Sequence, residues 1–272
     1  MRLNCNIRKF FLIALLVFFI LLVSGTFYVA SLYYYMPLKS GSILRVFKAS
    51  SFNNRRSVII ILPGGGYSSL AKWNEGYLWI PFFHRRGYTV AVLEYRMPFH
   101  DYTIPKTDAS EAIISLKQKA KTWGYDKDRI GLMGFSAGGH LASTMMVSEH
   151  DSICPDFVVL FYPVISMRKE LTHMDTHNNL IGENASIDLE CQFSSELHIL
   201  RNNPPVFIAV SQDDSIVNPL NSIVLSNEIN RAGQPVSLHI YPKGGHGWGY
   251  MKSFPYREQM KNDLINWLDS LN

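Results

Sequence analysis

The chain has 272 residues, 47% hydrophobic and 18% charged, with a formal net charge of +4. That is the composition of a folded protein and excludes a disordered one. The basic residues are scattered, with no Lys/Arg run interleaved with aromatics, so nothing points to a nucleic-acid partner.

Arg2, Arg8 and Lys9 precede an apolar run from Phe10 to Val23, which resumes after Ser24-Gly25-Thr26 and reaches Tyr35 with no charge before Lys39. A basic stretch followed by an apolar one is an export signal, and Val23 and Gly25 suit the −3 and −1 positions of a cleavage site. The uncharged stretch also exceeds the roughly 20 residues needed to span a bilayer. Tyr33, Tyr34 and Tyr35 would then sit at the interface and the positive flank would stay cytoplasmic. Residues 1–38 are therefore assigned as a signal peptide or signal anchor, with the anchor preferred, and residues 39–272 as one folded body. That body is expected to be exported, on the periplasmic or extracellular face, and tied to the membrane if the leader is uncleaved.

Within the body, Ser57–Leu62 (SVIIIL) predicts a buried strand, closed by the turn Pro63-Gly64-Gly65-Gly66-Tyr67. Leu70–Arg86 has apolar residues at helical spacing and ends at Gly87. Tyr88–Leu93 predicts a strand, Pro105–Trp123 a helix, Ile130–Met133 a strand, and Ala137 to about Glu149 a helix. Phe157–Tyr162 and Val206–Val210 follow as strands, Pro219–Ala232 as a helix, Val236–Tyr241 as a strand and Phe254–Leu271 as the closing helix. Alternating apolar strands and helices predict an α/β fold with a mostly parallel sheet covered on both faces. Ser166–Asn203, polar and weakly periodic, is expected to be a small insertion near the strand C-termini, where such sheets place their sites.

Gly134-Phe135-Ser136-Ala137-Gly138 lies directly after a strand and before a helix. This is the G-x-S-x-G nucleophile elbow of the α/β-hydrolase fold. The small flanking residues admit a sharp turn that lifts the Ser136 hydroxyl out of the sheet. A serine hydroxyl needs a base; His246, in Gly244-Gly245-His246-Gly247-Trp248 after the last strand, is the candidate. The acid should lie between them in sequence, where Ser211-Gln212-Asp213-Asp214 follows a strand. Asp214 is preferred, with Asp213 left as the alternative. Acyl transfer also needs donors for an oxyanion. Gly65 and Gly66, in the glycine turn after an early strand, and the Ala137 amide are assigned that role.

PGGGY, the NEG of Asn74–Gly76, YRMP from Tyr95, DRIGLMGFSAGGHLAS from Asp128 and LHIYPKGGHGWG from Leu238 resemble bacterial acetyl esterases and acetylxylan esterases. Members of that group are often encoded with, or fused to, xylan-degrading enzymes. The resemblance runs from about Ser57 to the C-terminus. It implies that Asp214 is the acid, since Asp214–Ser222 (DSIVNPLNS) follows the group's D-x-x-V-x-P-x-N-S pattern, with Asn218 where proline is common and Pro63 where lipase-type loops carry histidine. It further implies a serine carboxylesterase acting through an acyl-enzyme on short-chain esters, such as acetylated xylan or xylo-oligosaccharides, with no cofactor. The alternatives are a serine peptidase of the oligopeptidase branch and a catalytically silent, membrane-tethered binding protein. Tyr67 and Trp248, beside the glycine turn and His246, are candidate substrate-binding rings. His173-Met174-Asp175-Thr176-His177 has alternating ligand types but no further partner for a metal; the resemblance instead puts a leading histidine beside the acyl pocket. His140 is expected to be structural. Cys154 and Cys191 are expected to be thiols, with pairing open if the body is exported, and no cysteine spacing fits zinc.

Overall fold

The computed structural model describes residues 33–148 and 152–271. The leader assignment over residues 1–32 lies outside them, and among the described residues no helix is long and apolar enough to cross a membrane. One eight-stranded sheet organises the chain, in the order β1-β2-β4-β3-β5-β6-β7-β8. The strands are β1 (Tyr33–Pro37), β2 (Ile43–Phe47), β3 (Val58–Leu62), β4 (Thr89–Glu94), β5 (Ile130–Phe135), β6 (Val158–Phe161), β7 (Val206–Ser211) and β8 (Val236–Tyr241). From β4 to β8 every neighbouring pair is parallel, whereas β1–β2 and β2–β4 are antiparallel.

The central strands are covered on both faces, which is why they read as unbroken apolar runs. Along β3, Val58, Ile60 and Leu62 enter one core cluster while Ile59 and Ile61 enter the other. The first cluster is closed by helices α2 (Thr103–Trp123), α3 (Ser136–Met146) and α6 (Leu220–Arg231). The second is closed by α1 (Ile80–His84) and α7 (Arg257–Ser270), with Trp79, Phe83, Phe135 and Phe161 packed ring against ring.

Three sequence expectations change here. Tyr33–Pro37, within the stretch assigned to the leader, is the edge strand of the sheet, so the folded body begins before residue 39. Tyr34 and Met36 pack on the first cluster, while Arg45 on β2 holds Tyr33 and lies over Tyr35. Strand β2 itself went unpredicted, although its alternation puts Leu44 and Val46 in the core. Finally, Leu70–Arg86 is no single helix. It is a run of turns, a 3-10 turn at Tyr77–Trp79 and the short α1. Pro81 is tolerated only in the first turn of a helix, and α1 starts one residue before it.

The predicted insertion is ordered and packed. Helices α4 (Met174–Ile181) and α5 (Ile187–Gln192) lie within it, and Met167, Leu180, Ile181 and Phe193 join the first core cluster. Asn221 at the start of α6 holds its base: Oδ1 accepts from the Ile165 and Ser166 amides, both at 3.0 Å, and Nδ2 donates to the Leu171 carbonyl.

Candidate active site

Strand β5 runs straight into α3, and the chain turns between them at Ser136, whose φ is +50°. That strained left-handed conformation is held by close packing around the elbow. A Cβ at Gly138 would lie 2.1 Å from the Leu62 carbonyl oxygen, so α3 reaches β3 only because position 138 lacks a side chain. Ser136 is 7% exposed. Its Oγ lies 2.9 Å from His246 Nε2, and His246 Nδ1 lies 2.7 Å from Asp214 Oδ2. With the Nδ1 proton donated to the carboxylate, Nε2 is left to accept from the serine hydroxyl.

The two adjacent aspartates divide. Asp214 is buried and accepts the Ile216 and Val217 amides on Oδ1, which leaves Oδ2 for His246. Asp213 points outward and accepts the Gly245 amide at 2.8 Å, bracing the histidine loop from outside.

The glycine turn lies beside the elbow. A Cβ at Gly64 would sit 2.9 Å from Ser136 Cβ, so this glycine is required by close approach. The turn's internal hydrogen bonds use its carbonyls: Gly64 O accepts from Ala71, and Gly65 O from Ser68 and Ser69. The amides of Gly65 and Gly66 are not consumed in these bonds. Ala137 lies in the first turn of α3, where amides have no intrahelical acceptor. From the insertion, Asn179 Nδ2 donates to the Gly66 carbonyl at 2.8 Å and fixes the turn from above.

Tyr67 and Trp248 do not have the exposed faces expected of them. Tyr67 is 2% exposed and its hydroxyl bonds to His140 Nδ1 at 3.0 Å; Trp248 is 3% exposed, stacked on Phe254 at 4.0 Å with its Nε1 donating to Ser211. Both rings are structural walls, and neither can stack on a ligand. The exposed ring nearby is Trp73, 68% exposed, on an open groove with Asn74, Leu78, Tyr250, Met251 and Arg257. Periodicity had placed Trp73 on a helix; its exposure is a tertiary property.

His173 and His177 also separate. His177 is buried and bonded to Glu190 at 3.1 Å. His173 is half-buried, bonded to Thr176, and close enough to feel the charges of His246 and Asp214; burial lowers its pKa from the ordinary value. His140 is fully enclosed, with Nε2 donating to the Phe193 carbonyl, and burial pushes its pKa down to about 4. Cys154 and Cys191 are thiols.

The bracing residues are what sequence reasoning missed. Tyr95 donates to the Pro63 carbonyl at 2.6 Å, and Arg96 pairs with the buried Asp108. Asn74 donates to the Gly247 carbonyl at 3.0 Å. Glu75, buried, accepts from the Gly64 amide and the Tyr162 hydroxyl, each at 2.8 Å. The signal available was that NEG and YRMP stand among the motifs that carry the family resemblance.

An acetylxylan esterase from Xylanibacter ruminicola is 37% identical over 217 residues, 78% of this chain and 45% of that protein. An endo-1,4-beta-xylanase B from Butyrivibrio fibrisolvens is 31% identical over 210 residues, 71% of this chain and 32% of that protein. The chain thus spans less than half the length of these curated relatives. Among solved structures, the acetyl ester-xyloside bifunctional hydrolase of Caldicellulosiruptor lactoaceticus superposes with a TM-score of 0.78 at 32% identity, over 85% of this chain and 88% of that one. The expected α/β-hydrolase architecture is the observed one, and a family model described as BD-FAE matches residues 44–229, most of the sheet and its elbow: the chain belongs to the BD-FAE family.

Proposed function

We propose that this protein is a serine carboxylesterase that removes acetyl groups from acetylated xylan or xylo-oligosaccharides. The observation that carries it is the continuous relay from Ser136 Oγ through His246 to the buried Asp214, at 2.9 and 2.7 Å. His246 takes the Ser136 proton as the hydroxyl oxygen attacks the ester carbonyl, and Asp214 stabilises the resulting imidazolium. The amides of Gly65, Gly66 and Ala137 are the donors for the tetrahedral oxyanion. The imidazolium then protonates the departing alcohol oxygen. Water, deprotonated by the same histidine, attacks the acyl-Ser136 ester and releases acetate.

The glycan part of the proposal rests on the printed activities of the Xylanibacter and Caldicellulosiruptor proteins. The Trp73 groove agrees with it, because a polymeric alcohol needs a surface outside the acyl pocket, and the groove shares Asn74 with the histidine loop. The basic and apolar leader supports placing this chemistry outside the cytoplasm, where xylan fragments are met.

The test is acetate release from acetylated xylan alongside hydrolysis of a short-chain aryl acetate. Wild type is expected to turn over both, and Ser136→Ala to lose at least about 10³-fold in kcat on each. Retained activity in Ser136→Ala would remove the assignment of the nucleophile. Turnover of the aryl acetate without release from xylan would remove the glycan substrate and leave the esterase.

A further inference from the structure

Glu75 has no part in the relay, yet it is among the most deeply buried carboxylates of the chain, 3% exposed, and among the described residues no lysine or arginine pairs with it. Leaving a carboxylate in such a place is costly unless its oxygens are satisfied and its charge is used. Both oxygens are satisfied by elements of the candidate active site. Oε2 accepts from Gly64 N–H, at the root of the donor turn, and Oε1 accepts from the Tyr162 hydroxyl. The Tyr162 oxygen in turn accepts from Gly249 N–H at 2.9 Å, in the loop that carries His246.

The contacts around this bridge are close. A Cβ at Gly64 would stand 2.7 Å from Glu75 Oε2 and 2.9 Å from Ser136 Cβ, so this glycine is a spacer between carboxylate and nucleophile. The neighbouring Asn74 donates to Gly247 O and accepts from Tyr250 N–H. A Cβ at Gly249 would be 2.5 Å from the Asn74 carbonyl oxygen. Residues 74 and 75 therefore grip the donor turn with one side chain and the histidine loop with the other. Tyr162, held at φ +37°, presents its ring edge-on to the His246 imidazole at 4.7 Å.

Taking the esterase reading as given, we propose that Glu75 is a positioning residue for acyl transfer. It locks the Gly64–Gly66 turn to the His246 loop and sets a second negative charge, besides Asp214, close enough to act on the imidazole. The titratable groups facing it are Tyr95, Tyr162 and His246, with Asp214 acting on Tyr162 from beyond. Burial raises the Glu75 pKa, while the Tyr162 and Gly64 hydrogen bonds and the proximity of His246 pull it back. Of these neighbours only His246 becomes a cation, and it does so when it takes the serine proton. The charge on Glu75 is thus best compensated in the transition state, where differential stabilisation raises kcat.

Three variants test this against the aryl acetate, once wild-type turnover and its loss in Ser136→Ala have established the esterase. Failure at that first step overturns the esterase, not the role of Glu75. Glu75→Ala should lower kcat by about 10²-fold, the scale of one oxyanion donor, with KM changed less than about threefold because ground-state contacts are untouched. Glu75→Gln keeps an acceptor for Gly64 and loses the charge. It should recover part of kcat and move the acid limb of the kcat/KM profile to lower pH, since the imidazolium loses a stabilising charge. Tyr162→Phe keeps the ring but takes the partner from Glu75 Oε1 and Gly249 N–H; it should lower Tm by a few degrees and lower kcat at temperatures well below its own melt, and it decides the matter if Glu75→Ala does not fold. Wild-type kcat in folded Glu75→Ala, or an unmoved acid limb in Glu75→Gln, would overturn the proposal. A loss in every variant that follows thermal melting alone would also overturn it and make the residue merely structural.

Discussion

Asp213 and Asp214 are alike in composition and differ only in what the backbone lets them reach. The two amides that follow Asp214 turn back onto its Oδ1, so its second oxygen is aimed at His246, while Asp213 faces solvent and receives Gly245. Asp214→Asn should leave the loop in place but spoil the proton arrangement on His246, lowering kcat on an aryl acetate by about 10³ to 10⁴-fold. Asp213→Asn keeps an oxygen for the Gly245 amide and should change kcat by about twofold at most, as exposed substitutions do. Steady-state kinetics of the two variants check this, and the reverse ranking would transfer the acid's role to Asp213. At this scale Ser136 and His246 were legible because their signals are local: a glycine elbow after a strand, and a glycine-flanked histidine after the last strand. Glu75, Tyr162 and Asn221 were not, because each acts on a partner more than fifty residues away in sequence. Tyr67 and Trp248 were misjudged for the same reason: adjacency to a motif says nothing of whether a ring faces solvent or a neighbouring ring.

Helix α3 illustrates how one element serves both core and site. Its first residue is Ser136, Gly138 lets it press on β3 and Gly139 on Pro163, and His140, one turn on, joins it to two other elements. The Tyr67 hydroxyl donates to His140 Nδ1 from the glycine turn, and His140 Nε2–H donates to the Phe193 carbonyl from the insertion. Both bonds suit the neutral ring, and burial holds its pKa at about 4 against an ordinary 6.5. As pH falls, the unfolded chain takes up this proton first. The contribution to stability is therefore full above about pH 6.5 and lost progressively towards pH 4, amounting to roughly 3 kcal/mol. His173 and His239, also lowered by burial, act with the same sign. Thermal melts at pH 7 and pH 4.5 should show a smaller drop in Tm for His140→Gln than for wild type, and equal drops would show that His140 does not carry the effect. Elements were legible where strand and helix each had one clear period. They were lost where a short segment answers to distant partners, as in residues 70–76, whose helical spacing yields to the inward pull of Glu75 and Asn74.

For the molecule as a whole, the sheet order puts the β1 edge far from the candidate site, which follows the strands from β5 to the opposite edge at β8. Ser136, Asp214 and His246 follow β5, β7 and β8, while β1 and β2 close the opposite side. Strand β1 is nonetheless built into the body. Tyr34 packs on Trp123 at a ring separation of 4.5 Å, Met36 and Leu38 join the first core cluster, and the Lys39 and Ser40 amides donate to Glu111 on α2. The apolar N-terminal stretch and this strand are continuous in composition, which is why the sequence reads as having a boundary at residue 39 and why only pairing with β2 reveals the earlier start. A chain beginning at Tyr33 should therefore keep the whole sheet. One beginning at Lys39 loses three packed side chains, about 1 to 2 kcal/mol each, and leaves β2 as an unprotected edge prone to pairing with other chains. Its Tm should fall by on the order of 10 °C relative to the longer form, with kcat on an aryl acetate unchanged below the melt, because the missing strand touches none of the elements that hold Ser136. Equal melting of the two forms would mean that β1 adds nothing to the body and that the boundary belongs at residue 39. A fall in kcat without a fall in Tm would mean that the edge is coupled to the site in a way the packing does not convey.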